Sequence, residues 1–229
     1  MNLPTMNHPT TPVVIRTFQR RRLSVMLAAL AATGIALAGC SAGSQTTPSQ
    51  TSPTRSTSTP STDAGSEAVA QELLAVHDLA GLDVREVIAR LEATALVDRP
   101  DDLIASVQPD TLVVRDARGR EGRLPLPDDA VYVSIAPFRD QTHECHFHSL
   151  TTCVGELADT EVRVTLTTDD GSIVVDETRR TQDNGFVGVW VPRGLETTLT
   201  VESQGQIGSV PLSTTSPDDR TCITDLQLR

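Results

Sequence analysis

The chain has 229 residues, with 30 acidic side chains against 19 basic ones and a formal net charge of −11. That balance argues against nucleic acid as a partner and gives no electrostatic grip on anionic lipid. All the basic side chains are arginine, a bias that carries no chemistry of its own.

The first forty residues read as an address. Arg16, Arg20, Arg21 and Arg22 form a charged leader, and residues 23–38 are apolar or small. The run is too short for a comfortable membrane span and fits the apolar core of a secretory signal. It ends in LAGC, which resembles a bacterial lipobox. The reading is a signal peptide over residues 1–39, with Cys40 lipidated (palmitate among the acyl chains) as the mature N-terminus. Loss of the leader removes four arginines and no acid, which takes the net charge from −11 to −15. It also removes all three methionines, Met1, Met6 and Met26.

Residues 40–65 are rich in Ser, Thr and Pro and cannot bury apolar surface, so they are predicted to be a disordered tether. As a flexible coil its ends would lie about 25 Å apart. The globular part that follows is long enough to bury a real core.

From residue 66 to about 110 the pattern predicts a helical lobe. Val69, Leu73, Val76 and Leu79 recur at helical steps, and Gly81 stops the run. Asp83 and Glu86 have the spacing of a capping box ahead of Val84, Val87, Ile88, Leu91 and Ala95. Pro100, Asp101 and Asp102 open a predicted third short helix through Leu103, Ile104 and Val107.

From residue 111 to 229 the period changes to two, in TLVVRD, AVYVSIAPF, EVRVTLTT, SIVVDETRR, GFVGVWVP, TTLTVES and TCITDLQL. The Asp-Gly of TDDGS and the Asn-Gly of QDNGF are hairpin signals. The predicted fold class is therefore α+β: a small N-terminal helical lobe, then an antiparallel β-sandwich or small barrel.

Chemistry concentrates in HECHFHSLTTC, residues 143–153, which holds three of the five histidines and two of the four cysteines. With Cys40 assigned to lipid, Cys145, Cys153 and Cys222 remain. An odd count leaves at least one thiol outside any disulfide framework, in a compartment that oxidises unused thiols. On a helix Cys145 and Cys153 would stand about 12 Å apart, beyond the roughly 4.4–6.8 Å that a disulfide requires, so the segment is predicted to be a loop or hairpin.

Enzyme signatures fail one by one. His143–Glu144 starts like a zincin helix, but Phe147 stands where the second histidine belongs. His148–Ser149 lacks a nucleophile elbow, and no Cys-x-x-Cys pair exists. No hydrolase reading survives, and the chain is expected not to be an enzyme. Three thiolates, with His143, His146 or His148 as a candidate imidazole donor, suit Cu(I) or Zn(II). A blue-copper site would want an axial Met, and residues 40–229 contain none. At this level a soft-metal site and a structural disulfide both stay open.

Four blocks are familiar as a set: YVSIAPF (132–138), THECHFHSLTTCVGEL (142–157), NGFVGVWVPR (184–193) and TCITDLQL (221–228). They resemble the CueP family of periplasmic copper-binding proteins and span the β half of the chain. The resemblance implies copper binding by Cys145, Cys153 and Cys222, copper handling outside the cytoplasm, and homodimers built through the N-terminal lobe. The expected role is to buffer or deliver Cu(I) in copper homeostasis or resistance, in exchange with a copper donor or acceptor protein. A lipid anchor on the extracytoplasmic face of the cell membrane departs from the better-known members, which are free in the periplasm. Two rival readings use the same residues: a thiol redox protein that reduces Cu(II) or exchanges disulfides, and a surface interaction module stapled by a disulfide. In the oxidised, metal-free protein Cys145 is expected to pair with Cys153, which closes the smaller loop, leaving Cys222 free.

Overall fold

The computed structural model describes residues 62–229. The signal peptide expected over 1–39, the lipidated Cys40 and the tether as far as residue 61 lie outside the described residues, while residues 62–65, expected to close the disordered tether, are the first turn of a helix. Among the described residues no helix is long and apolar enough to cross a membrane.

Helix α1 (Thr62–Ala75) buries Ala70, Leu73 and Leu74. It ends one residue before Val76, which is therefore 70% exposed instead of continuing the apolar row. Gly81 adopts φ +74°, open to glycine at no steric cost, and its N–H donates to Gln71 Oε1 at 2.8 Å. Helix α2 (Val84–Glu92) is capped by Asp83, whose carboxylate accepts the Arg85 N–H at 2.8 Å. Glu86 does not close a capping box; it pairs with Arg90 one turn on, at 2.6 Å. The buried face is Val87, Ile88, Leu91 and Glu92, and a short 3-10 turn, Leu96–Asp98, follows.

The strands are β1 (Leu103–Val107), β2 (Thr111–Asp116), β3 (Glu121–Pro125), β4 (Ala130–Ile135) and β5 (His148–Ser149). They continue with β6 (Glu161–Thr168), β7 (Ile173–Arg180), β8 (Val187–Pro192), β9 (Glu196–Ser203), β10 (Gln206–Ser213) and β11 (Cys222–Ile223). The predicted third helix is β1. Its side chains alternate, with Leu103, Ala105 and Val107 buried and Ile104 exposed, and it pairs with both β2 and β5. The segment lies between Pro100 and Pro109, too short to repay helix nucleation when two ladders of backbone hydrogen bonds are on offer.

Three sheets stack. The order β3-β2-β1-β5 forms the first, against which α1 packs so closely that a Cβ on Gly122 would sit 2.2 Å from Ala70 N. The order β11-β4-β8 forms the second and β10-β9-β6-β7 the third. Every pairing between these strands is antiparallel except β11 along β4. The β11-β4-β8 sheet is buried on both sides. Val131, Val133, Ile135, Val189 and Val191 face the third sheet, while Tyr132 and Trp190 face the core built by α1, α2 and the first sheet. All six residues of β4 are consequently buried.

The Asp-Gly signal is the β6–β7 hairpin, with Gly171 at φ +83°. The Asn-Gly signal is a turn, closed by Gln182 N–H to Phe186 O at 2.7 Å, but it carries the chain from the third sheet to the second. The class is α+β with stacked antiparallel sheets, as the periodicity predicts.

Candidate metal centre

Cys222 opens β11 beside Ser134 of β4, fully buried. The backbone N–H groups of Thr221 and Cys222 both donate to His146 O, at 3.0 and 3.1 Å. The Thr221 hydroxyl accepts the His148 N–H at 3.1 Å and donates to Val107 O at 2.6 Å. Residues 146–148 are thus stitched between β1 and β11, which lays Cys145 against Cys222. After β5 the chain turns back sharply: Cys153 N–H donates to Ser149 O at 3.1 Å, and Gly155 N–H to Asn184 O at 2.7 Å. That turn brings Cys153 Sγ to 3.6 Å from Cys145 Sγ. Ala136 and Phe186 pack around the sulfurs.

Cys145 and Cys222 form a disulfide, Cα–Cα 5.7 Å, and Cys153 is the free thiol. This corrects the expected Cys145–Cys153 pair. The expectation weighed loop closure, which grows by only about 0.6 kcal/mol per doubling of loop length. Between separations of 8 and 77 residues that advantage is modest. The paired backbone of residues 146 and 221–222 decides the outcome by fixing Cys145 and Cys222 side by side. All three sulfurs remain neighbours, since Cys153 Sγ also lies within 4.8 Å of Cys222 Sγ.

The three histidines of the block separate. His148 is fully buried, with Nδ1 3.7 Å from Cys222 Sγ and Nε2 3.1 Å from Glu92 Oε1. His143 is exposed, and its ring stands edge-on to Phe186. His146 points away, with Nε2 2.9 Å from Asp218 O. Two sets of donor atoms mutually within 4.8 Å result: His143, Cys145 and Cys153 towards solvent, and His148, Cys153 and Cys222 inside. Each includes one member of the disulfide, so each becomes a full donor set only in the reduced protein.

Behind the sulfurs lies a charged network that the sequence reading does not include. Glu92, the last residue of α2, is buried and accepts hydrogen bonds from Ser134 Oγ at 2.7 Å, Asn184 Nδ2 at 2.8 Å and Tyr132 Oη at 3.1 Å. Burial works to raise its pKa, but His148 and these donors outweigh it and hold the carboxyl at about 2. Burial would likewise lower His148, yet the Glu92 carboxylate and Cys153 carry its imidazole up to about 9. The Cys153 thiol is raised by burial and lowered by the His148 hydrogen bond and charge, with a net shift below the usual thiol value. Arg99 adds a cation to the same corner. Its Nη1 donates to Cys153 O at 2.8 Å, while Nε and Nη2 are buried without a partner among the described residues. One signal for Glu92 was visible: it falls one turn after Ile88, on the apolar stripe of α2.

The family described as periplasmic copper-binding protein CueP matches residues 86–227. Among solved structures, the crystal structure of S.CueP is similar at 36% sequence identity and a TM-score of 0.65, over 70% of this chain and 97% of that one. No curated protein matches.

Proposed function

The chain belongs to the CueP family, and from that premise we propose that it binds copper outside the cytoplasm, holding Cu(I) on the thiolates of Cys145, Cys153 and Cys222. In this reading it buffers or delivers copper and is a binding protein, not an enzyme. The observation that carries it is the meeting of three sulfurs from two distant segments, one pair bonded and the third at 3.6 Å. A metal held by three thiolates at about 2.3 Å spaces its sulfurs about 4 Å apart, close to the 3.6 Å between Cys145 and Cys153, while the bonded Cys145 and Cys222 must separate to reach it. Thiolate sulfur selects soft ions, Cu(I) before harder cations, with Zn(II) as the other occupant of the same set.

Loading requires the disulfide to open. A dithiol reductant supplies two electrons and two protons, becomes a disulfide itself, and leaves Cys145 and Cys222 as thiols. His148 then backs the site. Glu92 holds its Nε2 and aims Nδ1 at the sulfurs, the carboxylate–histidine arrangement that orients metal-site imidazoles. Before metal arrives, the His148 imidazolium supports the Cys153 thiolate; copper brings the positive charge that replaces that proton. The homodimer through the N-terminal lobe and the lipid anchor at Cys40 belong to the same proposal. The anchor is checked by detergent-phase partitioning: Cys40→Ala should release the protein or leave an unprocessed precursor.

Anaerobic titration of the reduced protein with Cu(I), against a competing chelator, tests the site. Cys145→Ser, Cys153→Ser and Cys222→Ser should each weaken binding at least tenfold, and stoichiometric Cu(I) should protect all three wild-type thiols from alkylation. Full reactivity of Cys222 with copper present would sink the three-thiolate reading. Competition with Zn(II) in the same titration separates the two metals. A second reading, thiol–disulfide exchange, is favoured by the free Cys153 thiol beside the disulfide. Its mark is multiple turnover with a dithiol reductant, which a copper store does not show.

A further inference from the structure

The donor groups at the proposed copper site are graded by depth. His143 is exposed, Cys145 and Cys153 are half-buried, and Cys222 and His148 have no solvent exposure. An ion cannot meet Cys222 first, because Ala136, Phe186 and the other two cysteines cover it. It meets the half-buried Cys145 and Cys153 first, and the exposed His143 stands beside them. There His143, Cys145 and Cys153 lie within 4.8 Å of one another and make a three-donor set once the disulfide is reduced. The two imidazoles fall in different sets, the exposed His143 in one and the buried His148 in the other. His143 itself lines a cavity of about 300 Å³ that opens to solvent, together with Phe138, Thr142, Gly155 and the acidic Glu156. No hydrogen bond holds the His143 ring among the described residues, so it is free to bind and let go.

We propose that His143 is the exchangeable ligand of a copper port: it binds incoming Cu(I) together with Cys145 and Cys153, and yields its place to Cys222 as the ion moves inward. This rests on the three-thiolate reading. The step is a ligand substitution with no change of oxidation state. The copper–nitrogen bond to His143 breaks as the copper–sulfur bond to Cys222 forms, the bonds to Cys145 and Cys153 persist, and the Cys222 proton leaves to water. Release runs the same path backwards, with the chelator or acceptor taking the ion while His143 holds it with Cys145 and Cys153. A ligand engaged on the path but absent from the resting complex changes the rate in both directions and leaves the equilibrium alone.

The test is rapid-mixing transfer of Cu(I) between the reduced full-length protein and bathocuproine disulfonate, in both directions, with the equilibrium constant measured on the same samples. His143→Ala should slow loading and unloading tenfold or more while affinity changes less than threefold. His77→Ala, in the turn after α1 and in neither donor set, should change nothing. Unchanged rates in His143→Ala overturn the port. Affinity lost tenfold with faster release overturns it too, since that makes His143 a resident ligand. A wild-type protein whose Cys222 remains reactive at stoichiometric Cu(I) fails on the three-thiolate reading instead, so the two failures are told apart.

Discussion

Glu92 and His148 form a buried ion pair 3.1 Å long whose two ends titrate in opposite senses. His148 is held up at about 9, above its usual 6.5. Its contribution to stability is therefore complete below about pH 6.5 and lost as pH rises through about 9. Glu92 is held down at about 2, below its usual 4.5, so its contribution is complete above pH 4.5 and lost as pH falls through about 2. The lowered Cys153 thiol acts against His148 on the alkaline side, adding stability as pH rises. The clean experiment is therefore urea unfolding of the oxidised protein in a Cys153→Ser background. There, stability should fall between pH 6 and pH 10. Glu92→Gln should cost roughly 3–5 kcal/mol at pH 6, the penalty for stranding one half of a buried pair, and should flatten that fall. An undiminished alkaline slope in Glu92→Gln would show that Glu92 does not hold the His148 proton. The sulfurs were legible in the sequence, because an odd thiol count in an oxidising compartment asks for a use. Glu92, Ser134 and Asn184 were not, because their partners lie 42 to 92 positions away. Only the fold brings them together.

At the scale of elements, β4 joins the two halves of the molecule. Its even-numbered residues Tyr132 and Ser134 reach Glu92, and its odd-numbered valines fill the other core. Gly188 on β8 makes room for this. A Cβ there would fall 1.8 Å from Tyr132 Oη, a distance that only displacement of the ring can relieve. Gly188→Ala should therefore cost about 1–3 kcal/mol, the usual range for overpacking a tight site. The cost should shrink in a Tyr132→Leu background, as contacting residues couple. Equal costs in both backgrounds, measured by urea unfolding, would place the strain elsewhere. The β half was readable because strands such as β6 alternate strictly, Val162, Val164 and Leu166 inward. The segment at β1 was not. In so short a window Leu103, Ile104 and Val107 satisfy helical spacing while Leu103, Ala105 and Val107 satisfy strand spacing. Pairing with β2 and β5, distant in sequence, chose between them.

For the whole molecule, the three sulfurs tie the last strand to the segments on either side of β5, so the state of the site should set global stability. The Cys145–Cys222 bond spans 77 positions, for which chain-entropy reasoning gives about 4 kcal/mol relative to the reduced chain. Reduction removes that constraint and leaves three thiols crowded in one corner. On the proposed reading, Cu(I) bound to all three would restore the same cross-link and add Cys153 to it. At free copper a thousandfold above its dissociation constant, binding returns about 4 kcal/mol. Anaerobic urea unfolding should therefore place the reduced, copper-free protein well below both the oxidised form and the reduced form with Cu(I). In the oxidised form a thiol-alkylating reagent should label Cys153 alone, and Cys153→Ser should leave stability nearly unchanged while Cys222→Ser lowers it to the reduced level. Labelling of Cys222 in place of Cys153 would restore the local Cys145–Cys153 pairing and refute the long-range bond. If copper left the unfolding midpoint of the reduced protein unmoved, the cysteines would not share one ion, whatever their spacing.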